Sequence, residues 1–373
     1  MIPYGRHDID ESDVEAVART LGGDWLTTGP AVTQFETDLQ AVTGGVPVVA
    51  VSSGTAALHT AYAAAGFGLG DEVITPPLTF VATQAAAVHL GATPVFADVL
   101  PDSGLIDPEA VEAAITARTV AIVAVDYAGH PADMDALRAI ADRRSLLLIE
   151  DAAHSLGSIL RGRPVGSLAD LTTFSFFPTK NVTTGEGGAV AAIKPELLAK
   201  ARLFSHQGLV RDPAQQVRPE EGPWNQEVHD FGLNYRLPDI LAALGSSQLK
   251  RLPEFKAHRQ WVKSIYDEML TDPRLGLPWS DQGAEPVWHL YPLRVPSDRR
   301  RQVFDELKRR EINVQVNYIP AYWHPAFDQN THPLGLCPVA EEFYAREISL
   351  PMHTRITEDE ARWVATSVIE ALN

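Results

Sequence analysis

Between residues 46 and 193, short apolar runs alternate with segments of helical periodicity, and the runs at 46–51, 72–75, 94–98, 120–125, 146–150 and 173–177 read as buried strands. That alternation predicts an α/β fold in which a mostly parallel sheet is covered by crossover helices. Asp107-Pro108-Glu109 supplies a capping side chain, a proline at the first helical position and an acid in the first turn, so a helix is expected over 110–117. Residues 208–233, rich in Pro, Gly, Gln and charge, predict an extended arm that reaches a neighbour. Helical periodicity returns over 238–252. The run 287–295, a helix near 297–310 and the run 312–318 then predict a smaller α+β unit. Thr357-Glu358-Asp359-Glu360 forms a capping box ahead of a last helix over 361–372. The expected organisation is a large domain over 1–240 and a small C-terminal domain over 241–373.

Composition narrows the partners. The 373 residues hold 31 Lys+Arg against 48 Asp+Glu, a formal net charge of −17, which argues against a surface that attracts nucleic acid or anionic lipid. Any anionic ligand must then be held by a local site. The single cysteine, Cys337, cannot form an internal disulfide, and no Cys/His spacing suits zinc, so no metal is expected. No apolar run reaches the roughly 18 residues needed to span a bilayer, and Met1-Ile2-Pro3-Tyr4-Gly5-Arg6 lacks the apolar core of a signal peptide. These features predict a cytoplasmic protein without membrane or nucleic-acid partners.

Three segments carry candidate chemistry. Ser52-Ser53-Gly54-Thr55-Ala56-Ala57 follows the first strand and opens a helix, whose free N–H groups and small residues suit a phosphate. The strand 146–150 runs into Asp151 and, three residues on, His154, at the carboxyl end where ligands collect in open α/β sheets. Lys180 stands just past an aromatic strand and Pro178, in a setting where desolvation would favour its neutral amine. Each has an ordinary reading when taken singly: a strand-to-helix turn, a helix cap, a solvated lysine. Together, in this order on one domain, they are the parts needed to hold pyridoxal 5′-phosphate. The acid would keep the pyridine nitrogen protonated, and the lysine would form a Schiff base and shuttle a proton.

In these motifs the chain resembles the DegT/DnrJ/EryC1/StrS family of nucleotide-sugar aminotransferases over essentially its whole length. The resemblance rests on Leu26-Thr27-Thr28-Gly29-Pro30, Ser53-Gly54-Thr55-Ala56-Ala57-Leu58, Thr79-Phe80-Val81-Ala82-Thr83, Glu150-Asp151-Ala152-Ala153-His154, the Lys180 segment and Gly232-Leu233-Asn234-Tyr235-Arg236-Leu237. It implies fold type I of the pyridoxal enzymes and a homodimer with shared active sites. Lys180 would be the catalytic lysine and Asp151 the partner of the pyridine nitrogen. Gly54, Thr55 and Ser175 would contact the cofactor phosphate, and Phe80 would lie against the ring. His154, where glutamine is common, would reach the 3′-oxygen, and Asn234 would reach the cofactor phosphate of the neighbouring subunit. Within the family, Met1–Arg6, Val125-Asp126-Tyr127-Ala128-Gly129, Gln315-Val316-Asn317-Tyr318 and Glu347-Ile348-Ser349-Leu350-Pro351 resemble the transaminases of pseudaminic acid synthesis. The implied reaction passes an amino group from glutamate, through pyridoxamine 5′-phosphate, to C4 of a UDP-linked 4-keto-6-deoxy-N-acetyl hexose. Arg236 and Tyr318 are candidates for the sugar-nucleotide pocket. A dTDP- or GDP-linked 3- or 4-keto sugar, or a non-catalytic regulatory role on the same fold, are the alternatives.

Overall fold

The computed structural model describes residues 1–328 and 330–373. Its centre is a seven-stranded sheet of β1 (Val48–Val51), β2 (Glu72–Thr75), β3 (Thr93–Phe96), β4 (Thr119–Val125), β5 (Leu147–Asp151), β6 (Leu171–Ser175) and β7 (Gly188–Ala192), in the order β1-β7-β6-β5-β4-β2-β3. All pairings from β3 to β6 are parallel, while β7 runs antiparallel to both β6 and β1. The mostly parallel sheet is as the sequence pattern predicts, with two corrections. The strand expected at 173–177 lies at Leu171–Ser175, because Pro178 and the turn closed by Lys180 N–H on the Phe177 carbonyl at 2.9 Å end regular pairing early. The Gly-Ala-Val-Ala-Ala strand β7 was not predicted, since its small residues lack the β-branched and aromatic enrichment that marks a strand.

Alternation along the strands divides the apolar residues between two layers. Val48, Ala50, Ile122, Ala124 and Leu148 join a core on one face, while Val49, Val51, Ala121, Val123 and Ile149 join a core on the other. Helices cover both faces, so the strands are buried on either side, as parallel sheets require.

A further cluster gathers Val262, Tyr266, Leu293, Val303, Ile348, Val364 and Leu372. Its sheet is a single antiparallel pair, β8 (Tyr291–Arg294) with β9 (Glu347–Leu350). The helical segment expected over 238–252 is the helix Asp239–Lys250, and a second helix, Leu252–Met269, follows it with Pro253 in its first turn. The capping box at Thr357 and Glu360 opens the final helix, Glu358–Leu372, as read. Two expected strands are shorter or absent. From the run 287–295 only Tyr291–Arg294 pairs, because His289 N–H turns to the Ala128 carbonyl at 2.8 Å. The run 312–318 touches β9 at Gln315 and Ser349 alone, since Asn317 is drawn away onto side chains. Ile2 bonds through its N–H to Glu311 O at 2.8 Å, and so brings the N-terminus to this cluster. In the 208–233 segment, Leu209–Val210 and Glu227–Val228 form a short hairpin that leaves Trp224 and Phe231 exposed. Among the described residues no helix is long and apolar enough to cross a membrane.

Ile149 has no exposed surface and packs in the layer opposite Leu148. Replacing it by Ala should cost about 2–5 kcal/mol, read as a lowered thermal midpoint in the cofactor-free protein.

Candidate active site

The carboxyl ends of β5 and β6 and the N-terminus of helix Gly54–Ala65 converge on a cavity of 580 Å³, whose lining includes Gly54, Thr55, Phe80, Asp151, His154, Ser175, Lys180 and Tyr318. Asp151 is the last residue of β5. Its Oδ2 accepts from Thr83 Oγ1 at 2.7 Å and its Oδ1 from the Ala153 N–H at 3.2 Å. Burial raises its carboxyl, and those two donors together with Lys180 pull it back. Burial lowers the Lys180 ammonium from 10.5 to about 8, with Asp151 opposing. A buried carboxylate and an amine lowered to about 8 therefore face one space.

Across it, Ser53 caps the helix by accepting the Ala56 N–H at 3.0 Å. A Cβ on Gly54 would lie 2.7 Å from both Cβ and Oγ of Ser175, so only glycine lets this helix start approach β6. The free N–H groups of a helix start beside the Ser175 hydroxyl make an anion cradle.

The third wall is aromatic. His154 Nε2 lies 3.2 Å from Tyr318 Oη, and Tyr318 stands 6.3 Å from the Phe80 ring. His289 lies 4.3 Å from His154 between ring centroids, although nothing in the sequence reading singled it out. Burial pushes both imidazoles well below their usual range, with Lys180 adding to the effect, so both are neutral near pH 7. Their contact depends on Gly129, whose φ is +96° and where a Cβ would sit 2.9 Å from the His289 nitrogen and 3.0 Å from the His154 carbonyl. Asn317 and Tyr4 also line the cavity. They lie in the stretches Gln315–Tyr318 and Met1–Arg6 that carry the resemblance, but neither residue had an assigned role there.

Two candidate residues lie elsewhere. Asn234 is exposed and bridges to His206, while Arg236 lines a separate groove of 500 Å³ with Arg202 and Arg211 and donates to Gln207 Oε1 at 3.2 Å. The chain does not bring either to its own cavity.

The donor set fits a phosphorylated pyridine aldehyde. The cradle takes a phosphate, the carboxylate a protonated ring nitrogen and the amine a carbonyl carbon. The Nδ1 atoms of His154 and His289 are buried without partners among the described residues. Such a site on this sheet defines a fold type I pyridoxal-phosphate enzyme. The chain belongs to the DegT/DnrJ/EryC1/StrS aminotransferase family, whose model matches residues 7–369. It is 38% identical over 378 residues to the spore coat polysaccharide biosynthesis protein SpsC of Bacillus subtilis, covering 100% of this chain and 96% of that one. PseC of Helicobacter pylori, an aminotransferase involved in the biosynthesis of pseudoaminic acid, superposes with a TM-score of 0.92 at 33% identity, over 100% of this chain and 99% of that one. The putative sugar aminotransferase Spr1654 of Streptococcus pneumoniae, in its PMP-form, gives 0.92 at 30% identity, over 100% and 99% of the two chains. This is therefore a PLP-dependent sugar aminotransferase.

The depressed Lys180 amine has a measurable signature. The unfolded chain holds the lysine proton up to 10.5 and the folded chain releases it near about 8, so burial of the ammonium costs stability in full below 8 and progressively less up to 10.5. Cofactor-free Lys180→Met should melt at a higher temperature than wild type at pH 7, and the gap should close as pH rises across that window.

Proposed function

We propose that the protein is a homodimeric cytoplasmic enzyme that moves an amino group from glutamate to C4 of a UDP-linked 4-keto-6-deoxy-N-acetyl hexose. The observation that carries the amino-transfer reading is the buried Lys180 amine facing Asp151 across the cradle of Gly54 and Ser175. The choice of sugar is supported by similarity to PseC and by the stretches 1–6, 125–129, 315–318 and 347–351.

In this reading the bound cofactor supplies an electron sink that makes the proton on the substrate carbon labile. Gly54, Thr55 and Ser175 hold its phosphate and Asp151 holds the proton on the ring nitrogen. Lys180 Nζ, whose depressed value of about 8 leaves a neutral fraction near pH 7, accepts the substrate proton in that form and returns it, which an ammonium cannot do. The neutral His154, whose Nε2 meets Tyr318 Oη, would supply a hydrogen bond to the cofactor's ring oxygen. Phe80, largely exposed in the single chain, covers the ring, and Asn234 reaches the cofactor phosphate of a second copy. Since both half-reactions use one cavity, donor and acceptor bind in turn and the kinetics are ping-pong.

A second reading, a dTDP- or GDP-linked 3- or 4-keto sugar, is favoured by Phe177, which lines the cavity where the pseudaminic acid subgroup implies histidine. Either substrate brings a diphosphate, and the reading gives it to Arg236 of the neighbouring subunit. Replacing Arg236 by Ala should then raise the KM for the sugar nucleotide about tenfold, as loss of a charge-assisted hydrogen bond does. An unchanged KM removes Arg236 from the pocket.

The decisive experiment is the visible absorbance of the holoenzyme with and without excess glutamate, for wild type and Lys180→Ala. Bleaching by glutamate that requires Lys180, and recovery when the UDP-linked keto sugar is added, is the expected result. Bleaching that survives loss of Lys180 would refute the assignment, and recovery only with a dTDP- or GDP-linked sugar would select the second reading.

A further inference from the structure

Asn317 lies on the cavity wall at the centre of a hydrogen-bond ladder that the chemistry above does not use. Its backbone N–H donates to Glu347 Oε2 at 2.7 Å, and its carbonyl accepts from Tyr127 Oη. Its Nδ2 donates to Tyr4 Oη at 2.6 Å and to Ser349 Oγ at 3.1 Å. Ser349 in turn donates to Glu347 Oε1. With both Nδ2 hydrogens engaged, Oδ1 is without a partner among the described residues and is the polar atom left to the cavity.

The direction of this ladder follows from proton counting. A hydroxyl has one proton, so while Ser349 gives its own to the Glu347 carboxylate it can only accept from Asn317. The amide oxygen then faces the substrate. If Glu347 is protonated, the proton must sit on Oε1, because the Asn317 N–H occupies Oε2. Glu347 then donates to Ser349, the Ser349 proton turns to Asn317, and the amide rotates its NH₂ toward the cavity.

We propose that Asn317 is a specificity-determining residue that offers its amide oxygen to a hydroxyl or amide N–H of the sugar, and that Glu347 is a positioning residue whose proton sets the polarity of that contact. The inference rests on the sugar-aminotransferase reading and deepens it. It separates the two substrates chemically: an amide oxygen has nothing to offer the carboxylates of glutamate, whose ammonium is consumed at the reacting centre, whereas a sugar ring carries donors all around.

Burial pushes the Glu347 carboxyl up to about 8, against Ser349, the Asn317 N–H and Arg300. Tyr4, Tyr127 and Tyr318 face it with hydroxyls that burial raises, so they stay neutral through this range. Arg294, opposite Glu347 on β8, turns its guanidinium instead to the carbonyls of Pro101 and Asp102 at 2.6 Å each.

The test compares KM values for the UDP-linked 4-keto-6-deoxy-N-acetyl hexose and for glutamate in wild-type, Asn317→Ala, Glu347→Gln and Ser349→Ala holoenzymes, on either side of pH 8. Lys180 titrates in the same range in every one of these holoenzymes, so the ratio of sugar KM to glutamate KM in each variant is read against wild type at the same pH. Asn317→Ala should raise that ratio about tenfold above pH 8, the size of one hydrogen bond with its partner left unpaired. Glu347→Gln, whose amide donates to Ser349 as the protonated acid does, should raise the ratio above pH 8 and match wild type below it. Ser349→Ala, which removes the middle rung away from the cavity, should give the ratio the same pH profile as Glu347→Gln. A ratio that Asn317→Ala leaves within twofold overturns the role of Asn317. A Glu347→Gln ratio that differs from wild type equally at every pH, or nowhere, overturns that of Glu347. Wild type that bleaches with glutamate but recovers with no keto sugar overturns the sugar reading itself, an outcome distinct from either.

Discussion

The site is organised by one unfavourable act, the burial of a lysine amine beside a buried carboxylate. Each group would be costly in a dry pocket without compensation, and neither is compensated fully. Asp151 has Thr83 and a backbone N–H, but its carboxyl is still raised, and Lys180 has Asp151, but its ammonium is still depressed. That residual cost is what leaves the lysine amine able to exchange protons near neutral pH. It is sustained by the sheet: Asp151 pairs in register with Thr173 on β6, and both strands have an apolar layer on either face. A large rigid core is therefore the condition for a small uncomfortable pair at its edge.

The remaining walls come from segments that the sheet does not specify. Gly129 lets the His154 and His289 turns close on each other, and burial then keeps both rings neutral, so two imidazoles add polar atoms to the wall without adding charge. Tyr318 reaches the same space from the far end of the chain and is fixed by the ladder that holds its neighbour Asn317. The N-terminus takes part as well, through Ile2 on the C-terminal cluster and Tyr4 at the cavity. A cavity assembled from residues 4, 54, 151, 180, 289 and 317 has no local sequence signature as a whole.

That fact explains what was legible beforehand. The strand runs, the Asp107 and Thr357 helix starts and the Asp151 and Lys180 positions are local patterns, each written in a few adjacent residues with a clear physical period or cap. β7 was missed because Ala and Gly report burial without a period. His289 was missed because its run looks like a continuous strand, and only the bond to Ala128 makes it peel away. The ladder at Asn317 joins residues 4, 127, 317, 347 and 349, and only the folded chain brings them together.

Charge supplies the last constraint. Both proposed substrates are anions, glutamate with two carboxylates and the sugar with a diphosphate, and the chain carries −17. Among the described residues lining the cavity, Lys180 is the one lysine or arginine, and Glu186 stands at the same wall. Arg202, Arg211 and Arg236 instead line a groove of their own, where burial first and then these charges, Arg202 foremost, push His206 down to about 4. A cavity with so little positive charge reads a sugar ring through neutral donors and acceptors, and leaves the anionic ends of its substrates to cations from outside. On the homodimer reading those cations belong to a second copy, so the cofactor phosphate, through Asn234, and the nucleotide diphosphate, through Arg236, would both draw on two chains.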